Sequence, residues 1–379
     1  MSKKKSTDRQ IETFVDMNVK IQKSMKDNIN SYCRANNVKK PSAKTSVELL
    51  YNDQFNLSCI IIPKIGSAFT TQMFAVLQHG PSYAKYNLTT PRYLVKYTYR
   101  KSKLSFYDRK LENTLTIIPV RNPFSRLFSA FVDKIYLPHF IPLGLDIIAH
   151  QQNNSLRNIT GLRKSGPSHT GLLSLNFQDF LEYASDPRIK RKAMSDHYGP
   201  CFPRLKIFIC NSNHYVTVKQ ESFENDMKYV LQSVGIDNKQ PKTYDAIRKL
   251  LYESRIESSI PGIIKDAFFR AQLNAKVWTG PIIAQRLWQS FQIQGYINKS
   301  MPFPDRYFSN DLAYSNVSFI VNVFLREMKK STLSRTESRQ ERQEAMSEAY
   351  KGVSKRVIRK IQDMYDCDFK AFGYDKTLP

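Results

Sequence analysis

Thr114-Leu-Thr-Ile-Ile-Pro-Val120, Arg121-Asn-Pro123 and the stretch from Phe124 to Ile135 read in succession as strand, tight turn and helix. The first piece is a short apolar burst of the kind a buried parallel strand shows. In the third, Leu127, Phe128, Ala130 and Phe131 recur at helical spacing. The same order occurs upstream: Ser58-Cys-Ile-Ile-Ile-Pro63, a turn containing Gly66, then a helix from Ala68 to Gln78 that stops at His79-Gly80-Pro81. Two such units predict an α/β fold with a central parallel sheet flanked by helices.

Around these units, Thr7 to Cys33 has apolar residues at helical spacing, with Thr7 and Gln10 placed as a capping-box pair, and leads through a linker to about residue 45. Residues 46–379 are expected to form one domain. From Asn176 the chain reads as a helix-rich C-terminal half, with Ile207 to Cys210 and Tyr215 to Val218 as further strands. Arg326 to Lys360 is highly charged and lacks a strong apolar stripe, so it reads as a solvated helix or loop inserted in that domain.

The 379 residues are 41% hydrophobic and 12% aromatic, enough for a sizeable core. A formal charge of +25 favours polyanionic partners without choosing among nucleic acid, anionic lipid and acidic polysaccharide. No segment approaches the roughly 18 uninterrupted apolar residues of a membrane span. Met1 to Arg9 is rich in Lys and leads into no apolar core, so either the chain is cytosolic or its anchor lies outside this sequence. Five cysteines and Asn-x-Ser/Thr acceptors at Asn56, Asn87, Asn153, Asn158, Asn298 and Asn316 favour the second choice. No cysteine or histidine spacing suits structural zinc, and no metal is expected.

In Pro63-Lys-Ile-Gly-Ser-Ala68 a strand end meets a helix start, where backbone N–H groups and the positive helix terminus converge. An anion belongs there. Gly66 lets the backbone approach, Lys64 supplies a mobile charge and Ser67 a hydroxyl. The nucleotide-kinase pattern GxxxxGK[ST] is absent, which disfavours Walker-type phosphotransfer. Arg121 at the second strand end, with Ser129 eight residues on, can hold a further phosphate. Taken singly, each unit also fits a bland reading, a Lys or Arg ending a strand. Both together, in one order, argue against coincidence.

Val120-Arg-Asn-Pro-Phe-Ser-Arg-Leu-Phe-Ser-Ala-Phe-Val-Asp-Lys134 resembles the 3′-phosphate motif of Golgi carbohydrate sulfotransferases, the chondroitin and dermatan group above all. Cys59 to Thr70 resembles their 5′-phosphosulfate motif with one extra Ile, although Ala68 and Thr70 stand where the group has Thr and Trp. Asp196-His-Tyr-Gly-Pro200, Lys219 to Asp226 and Tyr365 to Tyr374 are similar to three further motifs of the group, so the resemblance spans about Ile11 to Tyr374. It implies a P-loop-like sulfotransferase fold and use of 3′-phosphoadenylyl sulfate (PAPS). Lys64, Ile65, Gly66, Ser67, Ala68, Phe69 and Thr70 would hold its phosphosulfate, and Arg121, Asn122, Pro123, Phe124, Arg126 and Ser129 its 3′-phosphate. It also implies an acidic or neutral glycan acceptor, no nucleic acid, and a Golgi lumenal, type II setting in which the membrane is reached only through an anchor absent from this chain. The group has two cysteines close together after its His-Trp, which makes Cys201 and Cys210 a candidate pair and leaves Cys367 without one.

Sulfuryl transfer needs an in-line acceptor, a stabilised leaving phosphate and a base for the hydroxyl proton. Lys64 is assigned to the leaving phosphate. For the base, His197 lies in a shared motif beside Asp196, His79 is the runner-up because it ends the helix that starts at the phosphosulfate turn, and a Glu or Asp stays open. Arg188 to Lys192 is a basic cluster that would steer an acidic acceptor. A catalytically silent relative that binds nucleotide or polyanionic glycan stays open, because Ala68 and Thr70 remove a hydroxyl donor and an aromatic packing group. A nucleic-acid-binding reading has charge in its favour but no recognisable module.

Overall fold

The computed structural model describes residues 2–42, 45–84, 99–152, 171–189, 196–252, 256–272, 275–308, 312–330 and 332–379. Asn87, Asn153, Asn158, His169 and the stretch 190–192 of the basic cluster lie outside them.

Helix α1 (Ser2–Ala35) leads to β1 (Ser46–Asn52) and β2 (Leu57–Cys59), followed by α2 (Ser67–His79) and β3 (Ser102–Ser105). Then come β4 (Leu115–Val120), α3 (Pro123–Phe131), α4 (Ile141–Gln151), α5 (Phe177–Ala184), α6 (Phe202–Ile209) and β5 (Tyr215–Lys219). The helices that matter beyond them are α7 (Phe223–Ser233), α8 (Ile256–Gln272), α9 (Gly280–Ile293), α10 (Val317–Met328), α11 (Arg335–Lys351), α12 (Lys355–Met364) and α13 (Asp366–Phe372).

The sheet order is β3-β1-β2-β4-β5. Its centre is parallel: Cys59 stands opposite Ile117, and Ile117 opposite Val216. β4 and β5 are almost wholly buried, as expected of parallel strands covered on both faces. The parallel core thus has the predicted form, with an added antiparallel edge: β1 runs against both β2 and β3. Carboxyl ends of β2, β4 and β5 lie side by side, the place where open α/β sheets bind ligands.

Four expectations need correcting. Helix α1 begins at Ser2, so Thr7 and Gln10 fall inside it. Ile207 to Ile209 belong to α6 and not to a strand, because burial follows a 3.6-residue period: Phe202, Leu205, Phe208 and Ile209 are buried while Ile207 is exposed. Cys201 and Cys210 flank that helix at opposite ends, about 13 Å apart at 1.5 Å per residue, which no disulfide spans. Cys210 instead pairs with Cys33 of α1, and Cys59, Cys201 and Cys367 are free thiols. Finally, the charged stretch after residue 326 is anchored to the core: Met346 and Tyr350 of α11 and Val357, Ile358 and Ile361 of α12 are buried.

The helix-rich half packs on an aromatic core in which Trp288 of α9 meets Phe324 of α10 edge to face, ring centres 5.2 Å apart. Among the described residues no helix is long and apolar enough to cross a membrane.

Candidate active site

The turn after β2 is built from backbone of alternating hand. Lys64 has φ 68° and Gly66 φ 66°, with Ile65 between them on the ordinary side. Alternation of this kind turns successive N–H groups toward one point, the concavity that binds anions. Ile65 is fully buried and roots the turn in the core. Gly66 then starts α2 with no side-chain cap, which leaves the helix terminus to whatever sits in front of it. A Cβ on Gly66 would lie 3.0 Å from the Phe223 ring.

Side chains around this turn are committed unevenly. Gly66, Ser67 and Ala68 are half-buried, whereas Phe69 and Thr70 are buried, Phe69 edge-on to Phe223 at 5.3 Å. Thr70 Oγ1 donates to the Gly66 carbonyl at 3.2 Å and Thr71 Oγ1 to the Ser67 carbonyl at 2.9 Å. Both hydroxyls therefore face back along the helix, and Ser67 is the hydroxyl at the turn itself.

At the end of β4, Asn122 caps α3 by accepting from the backbone N–H of Phe124 and Ser125, and Pro123 fills the first helical position, where its missing N–H costs nothing. Arg121 donates through Nε to Ser125 Oγ and through Nη1 to the Lys64 carbonyl, each at 2.9 Å. Burial draws its guanidinium down to about 10, opposed by the nearby Glu221, so it stays charged at neutral pH. Ser129 is half-buried one helical turn beyond Ser125. Phe124 is fully buried against Tyr350 and Phe369. Arg126, 2% exposed, directs its guanidinium at protein: the carbonyls of Pro63, Asp196 and Gly199. It clamps the first turn to the loop that carries His197.

His197 lies among Lys134, Lys64, Asp133 and Arg126. Burial foremost, then the two lysines, hold its imidazole down to about 4, so it is neutral at physiological pH. Its neighbour Asp196 pairs with Arg204 at the surface. His79 is exposed beside Tyr83 at the far end of α2, about 18 Å along the axis from the turn, which removes the runner-up.

Several residues of this constellation carry roles that the sequence pattern does not reveal. Glu221 accepts from the Asn122 backbone N–H at 3.0 Å and from the Tyr374 hydroxyl at 2.9 Å. Lys219, at the end of β5, stands 4.5 Å from the centre of the Tyr374 ring. The buried Asp368 accepts from the N–H groups of Cys201 and Phe202, each at 2.7 Å, capping α6 from a distant part of the chain. Tyr365 donates to the Tyr198 carbonyl. The Tyr365-to-Tyr374 motif therefore acts as a brace for the His197 loop and the β4 turn. Asp133 accepts from Lys64 Nζ at 2.8 Å. The sequence does carry a signal for it, since the adjacent Asp133-Lys134 pair closes the motif that begins at Val120.

A pocket of about 410 Å³ opens between α1 and the end of β5, with Lys20, Asn28, Lys219, Ser222, Asp226 and Gly373 in its walls. None of the residues expected to hold the nucleotide lines it.

The model of the sulfotransferase family matches residues 47–264. Carbohydrate sulfotransferase 11 of Mus musculus is 23% identical over 230 residues, covering 56% of this chain and 61% of that protein. The same enzyme of Danio rerio is 30% identical over 134 residues, 34% of this chain and 35% of that protein. Carbohydrate sulfotransferase 10 of Mus musculus is 28% identical over 137 residues, 35% of each. The chain thus spans at most 61% of the length of these curated relatives. No solved structure matches it significantly.

Proposed function

Because the chain belongs to the sulfotransferase family, whose model covers more than half of it, we propose that it transfers the sulfuryl group of PAPS to a hydroxyl of a glycan. The observation that carries this reading is the pair of turns at the carboxyl ends of neighbouring parallel strands, tied together by the Arg121–Lys64 hydrogen bond. The names of the relatives support a carbohydrate as acceptor.

In this reading the backbone from Ile65 to Thr70 receives the 5′-phosphosulfate at the start of α2, and Arg121 with Ser129 receives the 3′-phosphate. Asn122, Pro123, Phe124 and Arg126 fix the shape of that second turn. The acceptor oxygen forms a bond to sulfur as the bond from sulfur to the 5′-phosphate oxygen breaks. Charge grows on the leaving phosphate, and Lys64 stabilises it. The hydroxyl proton passes to the neutral imidazole of His197. Adenosine 3′,5′-bisphosphate leaves, and no metal takes part. We further infer a Golgi lumenal enzyme. The excess of positive charge suits an acidic glycan better than a neutral one.

The test is transfer of labelled sulfate from PAPS to a panel of glycans, with Lys64→Ala and Arg121→Ala as controls. Transfer lost in both variants is expected. Nucleotide binding without transfer to any glycan would overturn the reading in favour of a silent binder, for which the hydroxyl donor and aromatic packing group missing at Ala68 and Thr70 would be the cause.

A further inference from the structure

Asp133 lies in a π-helical turn, Val132–Tyr136, that continues α3 at its carboxyl end and gives way to the extended Leu137. A turn widened by one residue changes the direction in which side chains leave the helix, and such turns concentrate at functional sites. The Asp133 carboxylate divides its two oxygens. Oδ2 accepts from Lys64 Nζ at 2.8 Å and pairs with Lys134 at 3.2 Å, while Oδ1 receives His139 Nδ1 at 3.0 Å. A carboxylate only accepts, so Nδ1 carries the hydrogen.

His139 is 4% exposed, and its Nε2 lies 3.6 Å from Asp266 Oδ2 without a hydrogen bond. Asp266 in turn accepts from Arg270 Nε at 3.0 Å. Charged and polar groups thus run in one buried line from the Lys64 turn to α8. The Lys64 and Asp133 side chains are 7% and 9% exposed, and a charge so far from water is tolerated only with a partner in place.

We propose that Asp133 is a positioning residue for the sulfuryl transfer. It fixes the Lys64 ammonium beside the anion turn, and His139 fixes the plane of Asp133. The inference rests on the functional reading given above. Lysine is a point charge on a flexible four-carbon stem, and a charge stabilises a developing anion best when it is in place beforehand. Asp133 supplies that placement from a rigid turn, because its second oxygen is held by a residue buried in the core.

The experiment compares wild type, Asp133→Asn, Asp133→Glu, Lys64→Ala and the Asp133→Asn/Lys64→Ala double variant. Asp133→Asn should lower kcat by about tenfold or more while the KM for PAPS stays within about twofold, the pattern of an interaction realised in the transition state. Asp133→Glu should recover part of the loss. On the Lys64→Ala background Asp133→Asn should cost nothing further, whereas a merely structural residue would multiply the defect. A second readout needs no turnover: acylation of Lys64 by acetic anhydride, followed by mass spectrometry, should run several-fold faster in Asp133→Asn. Should Asp133→Asn fail to fold, His139→Gln is expected to move both readouts the same way. Multiplicative loss in the double variant, or an unchanged acylation rate, overturns the proposal. A wild type that transfers no sulfate overturns the functional reading instead, and the acylation comparison still decides whether Asp133 holds Lys64.

Discussion

Nη1 of Arg121 donates to the backbone carbonyl of Lys64 at 2.9 Å, so the turns that follow β2 and β4, 57 residues apart in sequence, are tied together. A substitution at either turn is felt at both.

Arg121→Ala should weaken binding of adenosine 3′,5′-bisphosphate by about 10- to 100-fold, the loss of one or two charge-assisted hydrogen bonds. Arg121→Lys should not restore it, because an ammonium cannot reach Ser125 Oγ and the Lys64 carbonyl in the geometry of a planar fork. Isothermal calorimetry on the three proteins measures this, and equal affinities would remove Arg121 from the 3′-phosphate site.

Lys64→Ala should behave differently. Bisphosphate affinity should change by no more than a few-fold while kcat falls about 100-fold, as when a preorganised group that meets developing charge is deleted. Steady-state rates set beside calorimetry separate the two effects.

The pH dependence follows from His197. A base must be neutral to act, and burial with Lys134 and Lys64 nearby holds its imidazole down to about 4. Activity that depends on it should persist as pH falls past the ordinary histidine range and decline only near pH 4. A kcat/KM profile from pH 3.5 to 8 tests this, and His197→Ala should lower the rate by about 100-fold or more. An acid limb near pH 6.5 would show that another group takes the proton.

Gly66→Ala places a side chain at φ 66°, with its Cβ 3.0 Å from the Phe223 ring. The expected cost is about 1–3 kcal/mol of folding stability. Denaturant titration reads it, and a neutral result would mean that Phe223 yields freely.

Asp368→Ala leaves the buried N–H groups of Cys201 and Phe202 without their acceptor. A loss of about 2–4 kcal/mol follows, from one to three for each stranded donor less some relaxation. Thermal melting of the variant should show it, together with a weakened hold on the His197 loop.

Local signals carried the centre of the fold. The apolar bursts before Lys64 and Arg121 locate β2 and β4, and the helices after them begin within a residue of where the pattern puts them. Ile207-Phe-Ile-Cys210 misled because a four-residue apolar run is shared by strands and helices, and only the exposure of Ile207 tells them apart. Nothing local pairs Cys33 with Cys210, which lie 177 residues apart. Donors and acceptors from distant elements were equally hidden: the Arg126 clamp, the Asp368 cap and the Asp133–Lys64 pair all depend on folded proximity. The sheet edge escaped notice because β1 alternates imperfectly, with Leu49 and Leu50 both buried.

The brace formed by Tyr365, Asp368 and Tyr374 also sets an order of events during synthesis. Strands β2, β4 and β5 are complete once residue 219 has left the ribosome, but the His197 loop and Glu221, already held by Arg126 and the Asn122 N–H, still lack their C-terminal partners Tyr365, Asp368 and Tyr374 for roughly another 150 residues. At ordinary translation rates that interval lasts about 10–30 s. The candidate site thus has all of these contacts only after residue 374 has been made.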